Sequence, residues 1–278
     1  MVDLLRLMRW PNLLITGAGV CAGGWIALHR IVAPAPLLWA ALAGMALGAY
    51  GFIRNDVEDA AADRVNRPHR PIASGRVHPD AADWYGRLAL LAAMAALLLS
   101  LKGGGSVNPL ILCFLAAWFV MATYSRRIKP RPAVGNVAVA LIAGLPPLFG
   151  AAAVGRPAEG LVPWVIATWI HLVRELVKDI EDAPGDRVAQ RRTIAVVVGQ
   201  AGAARLAAAL ALAFIPASLI LPYRAHYGGA YFAVALVAQL AVCLAAALLV
   251  AGRVERVSAL LKGAMVVGLV ALVAGRVA

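Results

Sequence analysis

Residues 36–63 read PLLWAALAGMALGAYGFIRNDVEDAAAD: an apolar run that ends at Ile53 and is followed at once by four carboxylates, Asp56, Glu58, Asp59 and Asp63. A second stretch repeats the plan, with residues 161–186 reading LVPWVIATWIHLVRELVKDIEDAPGD and carrying Glu175, Asp179, Glu181, Asp182 and Asp186. Nine of the 14 acidic residues of this 278-residue chain lie in these two places. A charge at a bilayer centre costs roughly 2.5–3.5 kcal/mol even on insertion scales, so carboxylates gathered at the ends of apolar spans point to function.

The rest of the chain supports the membrane reading. Hydrophobic residues make up 62% of it and the mean hydropathy is +0.80, against roughly 45–50% apolar content in soluble domains. Stretches long enough to cross about 30 Å of hydrocarbon fall near 11–29, 36–53, 83–101, 108–124, 133–153, 161–178, 200–221, 229–251 and 258–275. The expectation is an all-α polytopic membrane protein, a single domain over residues 1–278 with nine transmembrane helices. With the N-terminus inside, 21 of the 26 basic residues fall on the cytoplasmic side and five outside, so the positive-inside rule predicts an N-in protein of the cytoplasmic membrane with both acidic clusters inside.

Topology and contact with anionic lipid account for most of the net charge of +12. Nucleic acid is not an expected partner, because the basic residues track the loops and are not interleaved with aromatics. Cys21, Cys113 and Cys243 lie within apolar spans and form neither a disulfide framework nor a metal-ligand spacing. Gly19 and Gly23 form a GxxxG in the first span, which reads as a close helix contact.

Spacing turns the acids into a site. Asp56, Asp59 and Asp63 stand at i, i+3 and i+7, one helical face, with Glu58 pointing elsewhere. Glu175, Asp179, Asp182 and Asp186 follow i, i+4, i+7 and i+11, although Pro184-Gly185 opposes continuation of the helix and would leave Asp186 to reach back from a loop. Magnesium takes hard oxygen ligands and is commonly held by one or two carboxylates together with substrate phosphates. A departing diphosphate gathers negative charge that metal, arginine and lysine stabilise. Arg67, Arg70 and Arg76 on the first side, with Pro68 and Pro71 beside the first two, and Arg174, Lys178, Arg187, Arg191 and Arg192 on the second are the cations close by. A cation transporter is the competing class, but it calls for acids near the middle of several spans, and no acid lies there.

With these residues in view, the chain resembles the UbiA superfamily of intramembrane prenyltransferases. Asn55-Asp56-Val57-Glu58-Asp59-Ala60-Ala61-Ala62-Asp63 fits that family's N-D-x-x-D-x-x-x-D pattern, and Asn66-Arg67-Pro68-His69-Arg70-Pro71-Ile72 resembles its continuation. Arg9 and Asn12 near the first span, Tyr124 and Lys129 after the fourth, and Gly135-Asn136 opening the fifth fit as well. The second motif, Arg174-Glu175-Leu176-Val177-Lys178-Asp179-Ile180-Glu181-Asp182, is similar to the branch of the family that makes ether lipids.

The resemblance implies nine helices around a lipid-open cavity closed by two charged cytoplasmic loops. It implies a Mg2+-dependent enzyme that moves a long isoprenyl group from its diphosphate to a prenylated glycerol phosphate, the alternative acceptor being an aromatic acid or quinone precursor. Asp56, Asp59 and Asp63 would hold one magnesium, and Asp179, Asp182 and Asp186 a second. Asn55, Arg67, Arg70 and Lys178 would bind diphosphate oxygens, with Arg9, Asn12, Tyr124, Lys129 and Arg174 completing the substrate site. An acceptor with its own phosphate would need further cations, for which Arg191, Arg192 and Arg9 are the candidates.

Overall fold

The computed structural model describes residues 2–129, 131–188 and 190–277, with the side chains of residues 125 and 126 outside that description, and the described residues form helices joined by short turns. In chain order these are α1 (Val2–Leu7), α2 (Trp10–Leu28), α3 (Ala35–Glu58), α4 (Ala60–Asn66), α5 (Pro79–Leu101) and α6 (Val107–Thr123). A π-helical turn at Tyr124–Ile128 leads to α7 (Val134–Ala143) and α8 (Pro146–Ala153), then α9 (Leu161–Val188), α10 (Ile194–Val197), α11 (Gln200–Arg224), α12 (Gly229–Val250) and α13 (Val257–Val277).

Among the described residues, eight helical segments are long and apolar enough to cross a membrane, and the protein is an integral membrane protein. The expected fourth span is the 17-residue apolar helix Val107–Thr123, which at 1.5 Å per residue reaches roughly 26 Å. The expected fifth is two helices, because Pro146 and Pro147 start α8 afresh after the turn at Gly144-Leu145.

Two apolar half-cores organise the bundle. One joins α9, α11, α12 and α13 through Val173, Ala207, Val242 and Leu261; the other joins α2, α3, α5, α6 and α8 through Val20, Leu37, Ala93, Leu110 and Phe149. The glycines of α2 serve packing, as expected. A Cβ on Gly23 would lie 1.9 Å from the Pro147 carbonyl oxygen, and one on Gly150 would lie 1.8 Å from that of Val20, so α2 and α8 meet backbone to backbone.

Between the half-cores lies a cavity of about 400 Å³, walled by apolar side chains such as Ile15, Leu47, Phe114, Ile142, Phe214 and Leu272. Its wall is polar where Arg9, Asn12, Asn55, Arg174, Glu175 and Lys262 meet.

Two local features place the acidic residues. At Asp59 the third helix gives way to α4, yet the i to i+4 ladder continues through the break: Asp59 N–H donates to the Asn55 carbonyl at 2.8 Å and Asp63 N–H to that of Asp59 at 2.9 Å. The helical spacing of Asp56, Asp59 and Asp63 therefore survives.

In α9 the outcome differs from the expectation of a break before Asp186, for the helix runs through Pro184 to Val188. Proline cannot donate to the carbonyl four residues back. That carbonyl, on Ile180, instead accepts from Gln200 Nε2 at 3.1 Å. The Gly185 N–H donates to Asn66 Oδ1 at 2.9 Å, while Asn66 Nδ2 donates to the Asp182 carbonyl at 3.0 Å. Side chains from outside the helix thus satisfy the groups that the proline disturbs.

Candidate active site

The loop after α4 lies on the end of α9 because Asn66 is bonded twice to it, and this contact brings the two acidic groups together. A Cβ on Gly185 would meet the Asn66 side chain at 2.4 Å, so glycine is required for the approach.

Asp56, Asp59 and Asp63 are each 4% exposed or less, and each has a cationic partner. Asp56 is paired with Arg9 and, at 3.1 Å, with Arg70, which also reaches Asp63 at 2.5 Å. Asp59 is held by Lys129 at 2.6 Å and Arg191 at 2.5 Å. Burial alone would raise the Asp59 pKa, but those two cations outweigh it and hold the carboxyl below its ordinary range. At Asp63 burial prevails over Arg70, and Asp56 and Asp59 add to the rise. Glu58 points away, as expected, onto Arg54 at 2.7 Å.

On α9, Asp179 accepts from Asn136 Nδ2 at 2.9 Å and from the Ile194 backbone. Asp182 pairs with Arg67 at 2.6 Å, and Asp186 lies 3.7 Å from Arg191. Arg191 therefore bridges the two acidic groups, from Asp59 to Asp186.

The other expected residues converge on the same end of the bundle. Arg9 sits between α1 and α2 at φ 52°, in the left-handed region. For a non-glycine residue this costs about 1–3 kcal/mol. Its ion pair with Asp56 and its position 5.0 Å from the Phe52 ring centre hold it there. Asn55 and Tyr124 line the apolar cavity, and the Tyr124 carbonyl accepts from the Lys129 N–H at 2.8 Å. A second recess, of about 470 Å³, lies between Arg6, Arg9, Arg67, Arg70, Arg174 and Lys178, with Asp56 and Glu181 as its acids. Lys178 is turned toward Glu175 at 3.3 Å.

Two residues outside the expected set, Asn66 and Lys262, belong to this site, and Arg191, expected as a cation for the acceptor, takes another place in it. Asn66 joins the two acidic groups, Arg191 bridges them, and Lys262 of α13 donates to Asn12 Oδ1 at 2.7 Å. A signal for Lys262 was in the sequence: it stands inside the last apolar span, where an ionisable side chain marks function.

The donors suit a hard divalent cation. Six aspartates present oxygen without thiol or imidazole, as magnesium prefers. Among the described residues no three acidic, histidine or cysteine side chains stand together as a ready metal cage, since Arg70 lies between Asp56 and Asp63 and Arg191 between Asp59 and Asp186.

An apolar cavity that opens beside carboxylates and a basic recess defines a membrane enzyme that handles a long hydrocarbon bearing an anionic head. The chain belongs to the UbiA prenyltransferase family, whose sequence profile matches residues 16–274. It is 35% identical over 274 residues to the digeranylgeranylglyceryl phosphate synthase of Methanopyrus kandleri, covering 97% of each chain. Its structure is similar to that of a digeranylgeranylglyceryl phosphate synthase, with a TM-score of 0.73 and 24% identity over 99% of this chain and 98% of the other. It is also similar to a UbiA homologue from Archaeoglobus fulgidus bound to GPP and Mg2+, with a TM-score of 0.67 and 14% identity over 98% of both chains.

Proposed function

We propose that this prenyltransferase moves a geranylgeranyl-like group from its diphosphate to a prenylated glycerol phosphate, in a reaction that requires Mg2+. The observation that carries the reading is the junction of an apolar cavity with two acidic groups and at least six basic side chains. The similarity to digeranylgeranylglyceryl phosphate synthases supports the ether-lipid acceptor. The excess of basic residues in the loops on this side supports a cytoplasmic active site with the N-terminus inside.

The chain's own groups divide the work. The apolar cavity takes the isoprenyl chain, excluding water from an allylic cation that water would otherwise capture. Arg67, Arg70, Lys178 and Asn55 bind diphosphate oxygens and stabilise charge as the carbon–oxygen bond breaks. Asp56, Asp59 and Asp63 would hold one magnesium, and Asp179, Asp182 and Asp186 a second. When bound, these ions neutralise the diphosphate and make it a better leaving group. The rings of Tyr124 and Phe149 line the cavity, where aromatic side chains stabilise a developing cation.

Purified full-length protein incubated with labelled geranylgeranyl diphosphate and a panel of acceptors tests the reading. Product is expected from geranylgeranylglyceryl phosphate, lost on chelation and restored by Mg2+. Product only from 4-hydroxybenzoate or homogentisate would overturn the ether-lipid assignment, and undiminished turnover with excess chelator would overturn the metal role.

A further inference from the structure

The apolar cavity and the basic recess share Arg9 and Arg174. Arg9 is committed to Asp56. Arg174 is not committed in that way: its nearest carboxylate oxygen, on Glu175, is 3.8 Å distant, and its buried Nε has no hydrogen-bond partner among the described residues. Lys262 stands on the cavity side of Arg174. Its Nζ donates to Asn12 Oδ1 at 2.7 Å, no carboxylate lies within ion-pair distance of it among the described residues, and its charged neighbour is Arg174 itself.

Two like charges beside an apolar cavity, whose lining acid Glu175 stands 3.8 Å from Arg174, repel each other and cost desolvation. An anion seated between them removes both penalties. An ammonium with three donors, one of them spent on Asn12, suits a phosphate as a compact charge, and a guanidinium with a free Nε–H adds a directed bond. Lys262 lines the apolar cavity but not the basic recess, so it faces the hydrocarbon side of the site and is set apart from the aspartates paired with Arg70, Lys129 and Arg191.

We infer that Lys262 and Arg174, with Asn12 orienting the lysine, form a phosphate subsite for the acceptor's headgroup, separate from the place of the donor diphosphate. The inference rests on the reading of the acceptor as a prenylated glycerol phosphate. It moves that role away from Arg191, which is bound to Asp59 and Asp186. It makes Lys262 a specificity-determining residue: the lysine selects an acceptor with an anionic head, and the lipid tail lies along the cavity.

The test is steady-state kinetics of the full-length protein with Mg2+ in nanodiscs, using Lys262→Met, Lys262→Gln and Lys262→Arg. Loss of one charge-assisted contact should raise the acceptor KM about tenfold or more in the Met variant, with the donor KM changed by less than about twofold. The preference for the phosphorylated acceptor over its dephosphorylated counterpart should shrink by a similar factor, and Lys262→Arg should restore most of it. Lys262→Gln keeps a donor for Asn12, so it reads the same preference if the Met variant does not fold. Equal rises in both KM values, or an unchanged phosphate preference, would overturn the subsite. So would an effect that vanishes in nanodiscs of neutral lipid, which would assign the lysine to bulk lipid headgroups. A wild-type protein that ignores the phosphorylated acceptor defeats the proposed function, whereas one that uses it and tolerates Lys262→Met defeats only this inference.

Discussion

The two acidic groups face one site but are built differently. Asp56, Asp59 and Asp63 flank a helix break and are cross-linked by Arg9, Arg70, Lys129 and Arg191, which come from separate parts of the chain. Asp179, Asp182 and Asp186 ride on one continuous helix, and Asp179 is held by neutral groups, the Asn136 amide and the Ile194 backbone. The first group therefore binds separate parts of the fold together. In the second, Asp182 and Asp186 also meet Arg67 and Arg191, whereas Asp179 has no ion pair among the described residues.

The sharpest way to break this comparison is Asp59→Asn. We expect transfer to fall by roughly 10²–10³-fold, as when a group that stabilises developing charge is lost. The protein should also be destabilised by about 3–5 kcal/mol, because Lys129 and Arg191 lose a shared buried partner. The contribution of Asp59 to stability has a defined pH dependence. Its folded pKa is depressed, so that contribution is fully present above the unfolded value of about 4 and fades as pH falls through the folded one. Thermal melts at neutral and strongly acidic pH check this: the gap between wild type and variant should narrow in acid.

Asp179→Asn separates the two kinds of site. Activity should drop by about 10²-fold, while stability changes by less than about 1 kcal/mol, because its partners are uncharged. A melting loss as large as that of Asp59→Asn would erase the distinction.

Gly185→Ala acts on the joint between the groups. The new methyl meets Asn66, and the resulting displacement of the loop should lower kcat by about 10–100-fold. Relief by Asn66→Ala in the double variant, measured as a cycle, would confirm that the clash is the cause. The smallest effect is expected at Arg67, whose pair with Asp182 is partly exposed at 25% and 21%. Arg67→Met should raise the donor KM about tenfold and cost less than about 1 kcal/mol of stability.

Much of this molecule is legible along the chain because the rules involved are local. Apolar runs longer than a bilayer is thick predict helices where, among the described residues, eight segments of that length stand, one of them broken at Pro146, and where Val107–Thr123 is a shorter apolar helix. The i, i+3, i+7 spacing puts Asp56, Asp59 and Asp63 on one face whether or not the helix bends at Asp59. The family is carried by the same short strings, Asn55 to Asp63 and Arg174 to Asp182. Where a local rule was applied alone it failed once: Pro184-Gly185 signals a helix end, and the end is averted by Gln200 and Asn66.

The partners of the charged groups were settled by tertiary structure. Lys262 meets Asn12 across 250 positions, Arg191 meets Asp59 across 132 and Asn66 meets Gly185 across 119. No periodicity encodes such pairs, because they depend on which helix ends the packed half-cores bring side by side. Burial then makes those pairings energetically consequential: water is excluded and charges interact strongly, so a cation's role follows from whether a carboxylate already occupies it. Arg191 is so occupied, and Lys262, among the described residues, is not.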